Sequence, residues 1–148
     1  MSAEKLFQVG VKALITNKKG KILILDSGDW HLKNQTQHWD IPGGRIQEGH
    51  TVLDTLKREV EEETGITEII EPEFFTGVVS NFKDIPVGDH KVGLILMIYK
   101  VKIPENSQIK LSHEHSGYKW ASSKEAAEKL AYKYPGEFTS LLLMNKIV

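Results

Sequence analysis

Three carboxylates, Glu59, Glu62 and Glu63, lie within five consecutive residues of the chain. On a helical projection of about 100° per residue, Glu63 falls inside the apolar arc that begins at Val52, and the other two fall along its edge. Like charges at these spacings cost roughly 0.2–0.5 kcal/mol per pair, and partly burying a carboxylate costs more. A hard divalent cation such as Mg²⁺ offsets both costs, because it binds carboxylate oxygens. The spacing therefore indicates a metal site, whereas a glutamate run taken alone is more typical of a solvated helix surface.

A short helix must carry these carboxylates, and the sequence marks both of its ends. A Pro-Gly-Gly turn at residues 42–44 precedes it, and Thr51 with Asp54 resembles a capping box, which predicts a start near residue 51. Gly65 suits a left-handed C-terminal cap. One face of the helix is apolar and is expected to pack against a core, and its residues are Val52, Leu53, Leu56 and Val60.

The residues around the glutamates resemble the signature of the Nudix hydrolases. That signature runs Gly, five residues, Glu, seven residues, Arg-Glu-aliphatic, one residue, Glu-Glu, one residue, Gly-aliphatic. The chain matches it over residues 44–66, at Gly44, Arg58, Glu59, Val60, Glu62, Glu63, Gly65 and Ile66. One position departs from the pattern, because His50 stands where the signature has its first Glu.

The resemblance implies a Mg²⁺- or Mn²⁺-dependent site. In the family, Glu59, Glu62 and Glu63 would hold the metal, together with a backbone carbonyl of the Gly-Gly turn, Gly43 or Gly44. Arg58 would orient Glu59, and a carboxylate would take a proton from a metal-bound water.

A further glutamate enters through the same resemblance. Many family members place a Glu six residues before a Trp of the next strand, and Glu114 and Trp120 have that separation. Glu114 is therefore a candidate extra metal ligand or general base, and the alternative is an ordinary exposed loop residue. Its neighbours His113 and His115 are too closely spaced for a strong zinc signal and are interpreted as loop histidines.

Several aromatic residues are candidates for stacking on a nucleobase, because every base presents a π-face. They are Trp39, Phe82, Tyr118 and Trp120, of which Trp39, Phe82 and Trp120 are the predicted substrate-binding residues. Core packing is the alternative role for each of them.

The rest of the chain predicts strands interleaved with a few helices. Strands are expected at residues 6–16, 22–25, 39–41, 74–79, 91–101 and 118–121, and helices at about 122–131 and after Pro135. Residues 26–37 and 81–89 are expected to be loops, the first of them bordering the substrate site. The strand at 91–101 is apolar on both faces, so helices should cover both sides of the sheet. The expected fold is α/β or α+β, a mixed β-sheet sandwiched between helices, as the resemblance also implies.

Length and composition predict a single globular domain spanning residues 1–148. The formal net charge of −1 gives no bulk attraction to duplex nucleic acid or to an anionic membrane, so neither partner is expected. The absence of cysteine excludes a disulfide framework and a thiolate nucleophile. The N-terminus lacks the apolar core of a signal peptide, and the apolar run at residues 92–99 is too short to span a bilayer, so a cytoplasmic protein is expected.

The leading functional hypothesis is a metal-dependent hydrolase that cleaves a pyrophosphate bond in a small nucleotide, most simply a nucleoside triphosphate, oxidised ones included. The sequence Leu25-Asp26-Ser27 stands where many triphosphate-cleaving relatives carry basic residues, which leaves ADP-ribose or another nucleotide sugar as an alternative. A Nudix fold that binds a nucleotide without cleaving it is the competing class. The sequence also leaves a homodimer open.

Overall fold

The computed structural model describes residues 3–27 and 38–144, and within these residues eight strands and three helices follow one another. The strands are β1 (Phe7–Thr16), β2 (Ile22–Asp26), β3 (Trp39–Asp40), β4 (Gly43–Arg45), β5 (Ile70–Val79), β6 (Ile85–Val87), β7 (His90–Lys102) and β8 (Gly117–Ala121). The helices are α1 (Val52–Thr64), α2 (Ser123–Leu130) and α3 (Gly136–Met144). Most of the loop predicted at residues 26–37 lies outside the described residues.

The strands form a mixed sheet with the central order β3-β2-β1-β7-β5. β1 and β7 run parallel over the whole length of β1, whereas the other pairs are antiparallel. β4 pairs with the first half of β1 and β8 pairs with β2. Gly43 therefore lies opposite Lys12, and Gly44 lies opposite Val11.

Both faces of the sheet are covered, because alternate side chains of β1 enter two separate cores. Leu14 belongs to the core that contains Leu130 and Phe138 of the C-terminal helical region. Ala13 and Ile15 belong to the other core, which Leu56 and Val60 of α1 complete. The predicted sandwich of helices around a mixed sheet is confirmed.

The ends of α1 follow the local signals in the sequence. The Thr51 side chain accepts a hydrogen bond from the backbone N–H of Asp54, and Gly65 is left-handed, with φ 76°. An N-cap of this kind is worth about 1 kcal/mol. Ser122 caps α2 in the same way, by accepting from the N–H of Glu125. The strand predictions missed β4 and β6 and began β5 too late.

Within residues 3–27 and 38–144, no helix combines the length and the apolar character needed to cross a membrane.

Candidate active site

The predicted Gly-Gly turn forms the start of strand β4, and we keep the name Gly43–Gly44 turn for it. It meets α1 over β1, and this contact places two of the motif carboxylates. The backbone N–H of Gly43 donates a hydrogen bond of 2.8 Å to Glu63 Oε1. Glu59 packs directly against Gly44, because a Cβ added at Gly44 would lie only 1.7 Å from Glu59 Oε1. The absence of a side chain at residue 44 therefore creates the space that the Glu59 carboxylate fills.

Burial of these two carboxylates opposes their ionisation. Burial raises the pKa of Glu63 to about 7, against the opposing effects of the Lys12 charge and the Gly43 hydrogen bond. Burial also raises the pKa of Glu59, and a hydrogen bond and repulsion from Glu62 add to the effect. Of the three motif glutamates, Glu63 is the most buried, with its side chain 17% exposed, as its position on the helical projection predicts.

The third motif glutamate, Glu62, lies at the surface with its side chain 60% exposed. Arg58 Nε lies 3.8 Å from Glu62 Oε1, so the two side chains form an ion pair across one turn of α1. Arg58 Nη1 also contacts Nδ1 of His50. His50, which stands where the family signature has its first Glu, therefore contacts the motif arginine.

The metal-free protein should become more stable when Glu63 is replaced by glutamine. The folded pKa of about 7 lies above the ordinary value of 4.5, so ionising Glu63 costs folding free energy. That cost grows as the pH rises from about 4.5 to about 7 and is constant above. We expect Glu63→Gln to raise the free energy of unfolding by about 1–3 kcal/mol at pH 8 and to flatten its pH dependence. Urea unfolding in EDTA at several pH values measures both, with the exposed Glu61→Gln as the control.

Replacing His50 with glutamate should strengthen Mg²⁺ binding. A carboxylate at residue 50 would face the Arg58 guanidinium near the N-terminus of α1, where negative charge is favoured, and would add to the negative potential around the site. We expect the Mg²⁺ concentration for half-maximal activity to fall about two- to threefold. His50→Gln is the neutral control, and Mn²⁺ titrations beside Mg²⁺ test whether the histidine favours the softer ion. Superimposable curves for wild type and His50→Glu would mean that residue 50 is a bystander.

A buried ionic cluster supports the strand that leads into the turn. Asp40 Oδ2 accepts from Lys12 Nζ at 3.0 Å and from Lys133 Nζ at 2.6 Å, and Asp40 Oδ1 accepts from the Tyr134 hydroxyl at 2.6 Å. Burial alone would raise the pKa of Asp40, but the two ammonium groups hold it well below its usual range. Lys12 also donates to the carbonyl of Ile41. This cluster ties β1 and the segment after α2 to the residues just before Gly43.

Two of the three predicted substrate-binding aromatics lie in one region, linked by Tyr132. The Tyr132 hydroxyl donates to the carbonyl of Trp39 at 2.8 Å, and its ring centroid lies 5.8 Å from that of Phe82. Lys129 Nζ lies 5.3 Å from the Trp39 ring centroid, and Lys133 Nζ lies 5.6 Å from that of Phe82. We call Trp39, Phe82, Tyr132, Lys129 and Lys133 the aromatic–lysine platform. Through Lys133 it adjoins Asp40, three residues before Gly43.

Trp120, the third predicted aromatic, lies elsewhere. It pairs with Leu23 in the sheet, and its ring packs against the core on the α1 side. It lines a cavity of about 500 Å³ that none of the three motif glutamates lines. The reason is the register of β8 on β2, which could not be read from the sequence.

The segment between β7 and β8 brings a histidine to the carboxylates. His115 Nε2 lies 3.7 Å from Glu63 Oε2, and burial lowers the pKa of His115. Glu114, the residue predicted as an extra ligand or base, is exposed, and its backbone N–H donates to Ser112 Oγ. The interpretation of His115 as an ordinary loop histidine missed this contact. The only sequence signal that related this segment to the active site was the separation of six residues between Glu114 and Trp120.

The donor set suits a hard divalent cation. Within residues 3–27 and 38–144, no three His, Asp or Glu side chains are already grouped so that they could hold a metal ion. Nevertheless, Glu59 lies close enough to Glu62 for that carboxylate to raise its pKa, Glu59 packs on Gly44, and Glu63 accepts a hydrogen bond from the Gly43 N–H. Burial and mutual repulsion oppose the ionisation of these carboxylates, and a bound cation favours their ionised form. The exposed Glu62 has the freedom to complete the set.

Comparison with known proteins defines the class. The profile described as NUDIX domain matches residues 6–142, and the chain therefore belongs to the NUDIX domain family, whose class is that of the Nudix hydrolases. The MutT protein from Methanosarcina mazei Go1 has a similar structure, with a TM-score of 0.66 and 29% identity over 96% of this chain and 94% of that one.

Two relatives among characterised proteins are similar over part of their length. Nudix hydrolase 6 of Arabidopsis thaliana is 40% identical over 67 residues, which are 45% of this chain and 23% of that protein. The mouse (Mus musculus) bis(5'-nucleosyl)-tetraphosphatase [asymmetrical] is 32% identical over 96 residues, 65% of this chain and 63% of that protein. The matched region thus spans less than two thirds of either relative.

Proposed function

We propose that this protein is a divalent-cation-dependent pyrophosphohydrolase whose substrate is a nucleoside triphosphate, oxidised ones included. The observation that carries the proposal is the convergence of Glu59 and Glu63 on the Gly43–Gly44 turn, next to the exposed Glu62. Local physics disfavours this arrangement, because it concentrates three carboxylates at the C-terminal half of a helix. A role in binding Mg²⁺ or Mn²⁺ accounts for it.

In this proposal Glu59, Glu62 and Glu63 hold the cation, together with a carbonyl of Gly43 or Gly44. A bound cation neutralises phosphate charge and lowers the pKa of a water ligand. The Gly43 N–H fixes Glu63 Oε1, and Oε2, which lies 3.7 Å from His115 Nε2, is the oxygen proposed to bind the cation. Arg58 steadies Glu62 from the solvent side.

The proton from the attacking water requires a carboxylate as acceptor. Glu59 is one candidate, because it is half-buried on α1 against Gly44. Glu114 is the other, because it adjoins His115, which reaches Glu63. Comparing the pH–rate profiles of Glu114→Gln and the wild type tests Glu114: a lost acid limb assigns the base to Glu114, and an unchanged limb excludes it and leaves Glu59 as the candidate.

The aromatic–lysine platform is the proposed nucleobase and phosphate region. Trp39 and Phe82 offer ring faces, on which any base can stack. Lys129 adds positive charge beside the Trp39 ring, which suits a polyphosphate, whereas Lys133 is already paired with Asp40. Trp39 precedes Asp40 in β3, four residues before Gly43, so a base bound there would lie close to the Gly43–Gly44 turn.

A dinucleoside tetraphosphate is the second candidate substrate, favoured by the similarity to the mouse tetraphosphatase. Phe82 is 39% exposed and Trp39 is half-buried, so the aromatic–lysine platform offers two separate rings for the two bases of such a substrate. A nucleotide sugar remains the third candidate, because Asp26 puts no positive charge at the end of β2.

Product analysis with pure protein, Mg²⁺ and a nucleotide panel tests the proposal. A triphosphatase of this kind yields a nucleoside monophosphate and pyrophosphate, and a dinucleoside tetraphosphatase yields a nucleoside mono- and triphosphate. A nucleotide-sugar enzyme yields a monophosphate and a sugar phosphate. Glu62→Gln protein purified in parallel controls for contaminating phosphatases. Absence of any product with either metal, while nucleotides still bind, would establish the non-catalytic binding class instead.

Millimolar Mn²⁺ or Mg²⁺ should raise the melting temperature of the wild type. An unfolded chain cannot assemble the three carboxylates, so binding at 100 times Kd adds about 2.7 kcal/mol to the free energy of unfolding. We expect a shift of several degrees in the wild type and little or none in Glu62→Gln. Thermal melts with metal and with EDTA measure it, and equal shifts in both proteins would place the metal elsewhere.

A further inference from the structure

The cavity that Trp120 lines lies toward the opposite end of β1 from the Gly43–Gly44 turn. Its volume is about 500 Å³, within the range of roughly 300–1,000 Å³ that is usual for small-molecule sites. Three segments build most of it: the end of β1 with the following turn, residues 102–107, and Trp120 of β8. Thr16 at its edge lies four residues beyond Lys12 on β1, about 13 Å further along the strand.

The walls of this cavity have a defined chemical character. Trp120 supplies an indole ring, flanked by the apolar Ile103 and Pro104. The charged residues are Lys18, Lys102 and Glu105, and Glu105 already contacts Lys18. Among the described residues Lys102 has no salt-bridge partner, so one positive charge remains uncompensated at the rim.

We propose that this cavity binds a planar aromatic anion of the nucleoside monophosphate kind, independently of the metal site. The aromatic part would stack on Trp120, since base–aromatic stacking contributes about 1–3 kcal/mol per base. The anionic group would lie at the rim, where Lys102 is uncompensated and Lys18 can exchange Glu105 for the ligand. None of the motif carboxylates lines the cavity, so the ligand is bound there without being cleaved.

Chemical-shift mapping with AMP as the probe tests this proposal. The ¹⁵N-labelled wild type is titrated in EDTA, so that the metal site cannot contribute. We expect shifts at the amides of Lys18, Lys102 and Ser107 and at the Trp120 indole N–H. Adenosine lacks the anionic group and inorganic phosphate lacks the aromatic base. Each should therefore bind at least about tenfold more weakly than AMP.

Charge reversal at the rim gives a variant that should fold normally. Lys102 is exposed, and Lys102→Glu should weaken AMP binding at least about tenfold. Lys91→Glu is the matched control, because Lys91 is an exposed lysine at the other end of the same strand, and it should bind AMP like the wild type. Trp120→Leu should also weaken AMP binding.

Three outcomes would overturn the proposal. The first is no shift at millimolar AMP. The second is shifts confined to the aromatic–lysine platform and the Gly43–Gly44 turn. The third is equal affinity in Lys102→Glu and the wild type. Each of these leaves the proposed hydrolase function untouched, because the titration contains no metal and measures no turnover.

Discussion

Replacing Glu62 with glutamine should reduce turnover by at least about a hundredfold, equivalent to about 2.7 kcal/mol of transition-state free energy. Glutamine keeps the length of the side chain but removes one negative charge from the proposed metal ligands. A metal ion contributes several kcal/mol of charge stabilisation, so weakening its hold affects the chemical step directly. The side chain is 60% exposed, so the substitution removes little packing.

Glu61→Gln is the matched control for this experiment. Glu61 is the preceding residue, it is also exposed, and the charge change is identical. It lies outside the motif positions and points about 100° away around α1, so its turnover should stay within about twofold of the wild type. Turnover and half-saturating Mg²⁺ are measured for both variants.

The melting temperature of Glu62→Gln shows whether the substitution removes a metal ligand or damages the fold. In EDTA, Glu62→Gln should melt at the wild-type temperature or slightly above it, because it removes repulsion from Glu59. An active Glu62→Gln enzyme with unchanged metal dependence would end the assignment of this residue to the metal.

Gly44→Ala should also inactivate the enzyme, by displacing Glu59. The new Cβ would meet Glu59 Oε1 at 1.7 Å and Cδ at 2.5 Å, both at the end of a flexible side chain. The carboxylate must therefore move, while the backbone can stay in place. Misplacing a reacting group by about 1 Å can cost about a hundredfold in rate, and we expect a loss of this size.

Two other glycines make this test specific. Gly136→Ala adds a methyl group where no atom lies within 4 Å, so it should behave like the wild type. Gly43→Ala would place its Cβ 2.1 Å from the Val11 carbonyl oxygen, at a φ of 154°, so it should damage the fold itself. Circular dichroism and turnover are measured for all three variants. Gly44→Ala with wild-type turnover would mean that the position of Glu59 is not needed for activity.

The local signals in the sequence located α1 closely. Thr51 and Gly65 act through bonds to residues three or four positions away, so neighbouring residues suffice to fix the ends of the helix. The same holds for Ser122 at the start of α2. Strand boundaries were less well predicted, because β4 and β6 are short and exist through their pairing with β1 and β7.

The sequence also ranked the burial of the carboxylates. The periodicity of α1 places Glu63 within the apolar face, and the structure shows it as the most buried of the three. Periodicity could not show what each carboxylate meets. That Glu63 bonds the Gly43 N–H, and that Glu59 fills the space above Gly44, follows from how β4 pairs with β1 beneath the helix.

Contacts between distant residues were decided by the tertiary structure alone. Lys12, Asp40 and Lys133 lie far apart in the chain, and each is an ordinary charged residue in its own segment. Phe82 and Trp120 were equivalent candidates by composition, yet Phe82 contacts Tyr132, whereas Trp120 lines a separate cavity. The physical reason is that a helix end or an apolar face depends on near neighbours, whereas a contact between distant segments depends on strand order and register. The sequence thus determined the chemistry and the helix that carries it, and the packing of the sheet decided which side chains share a site.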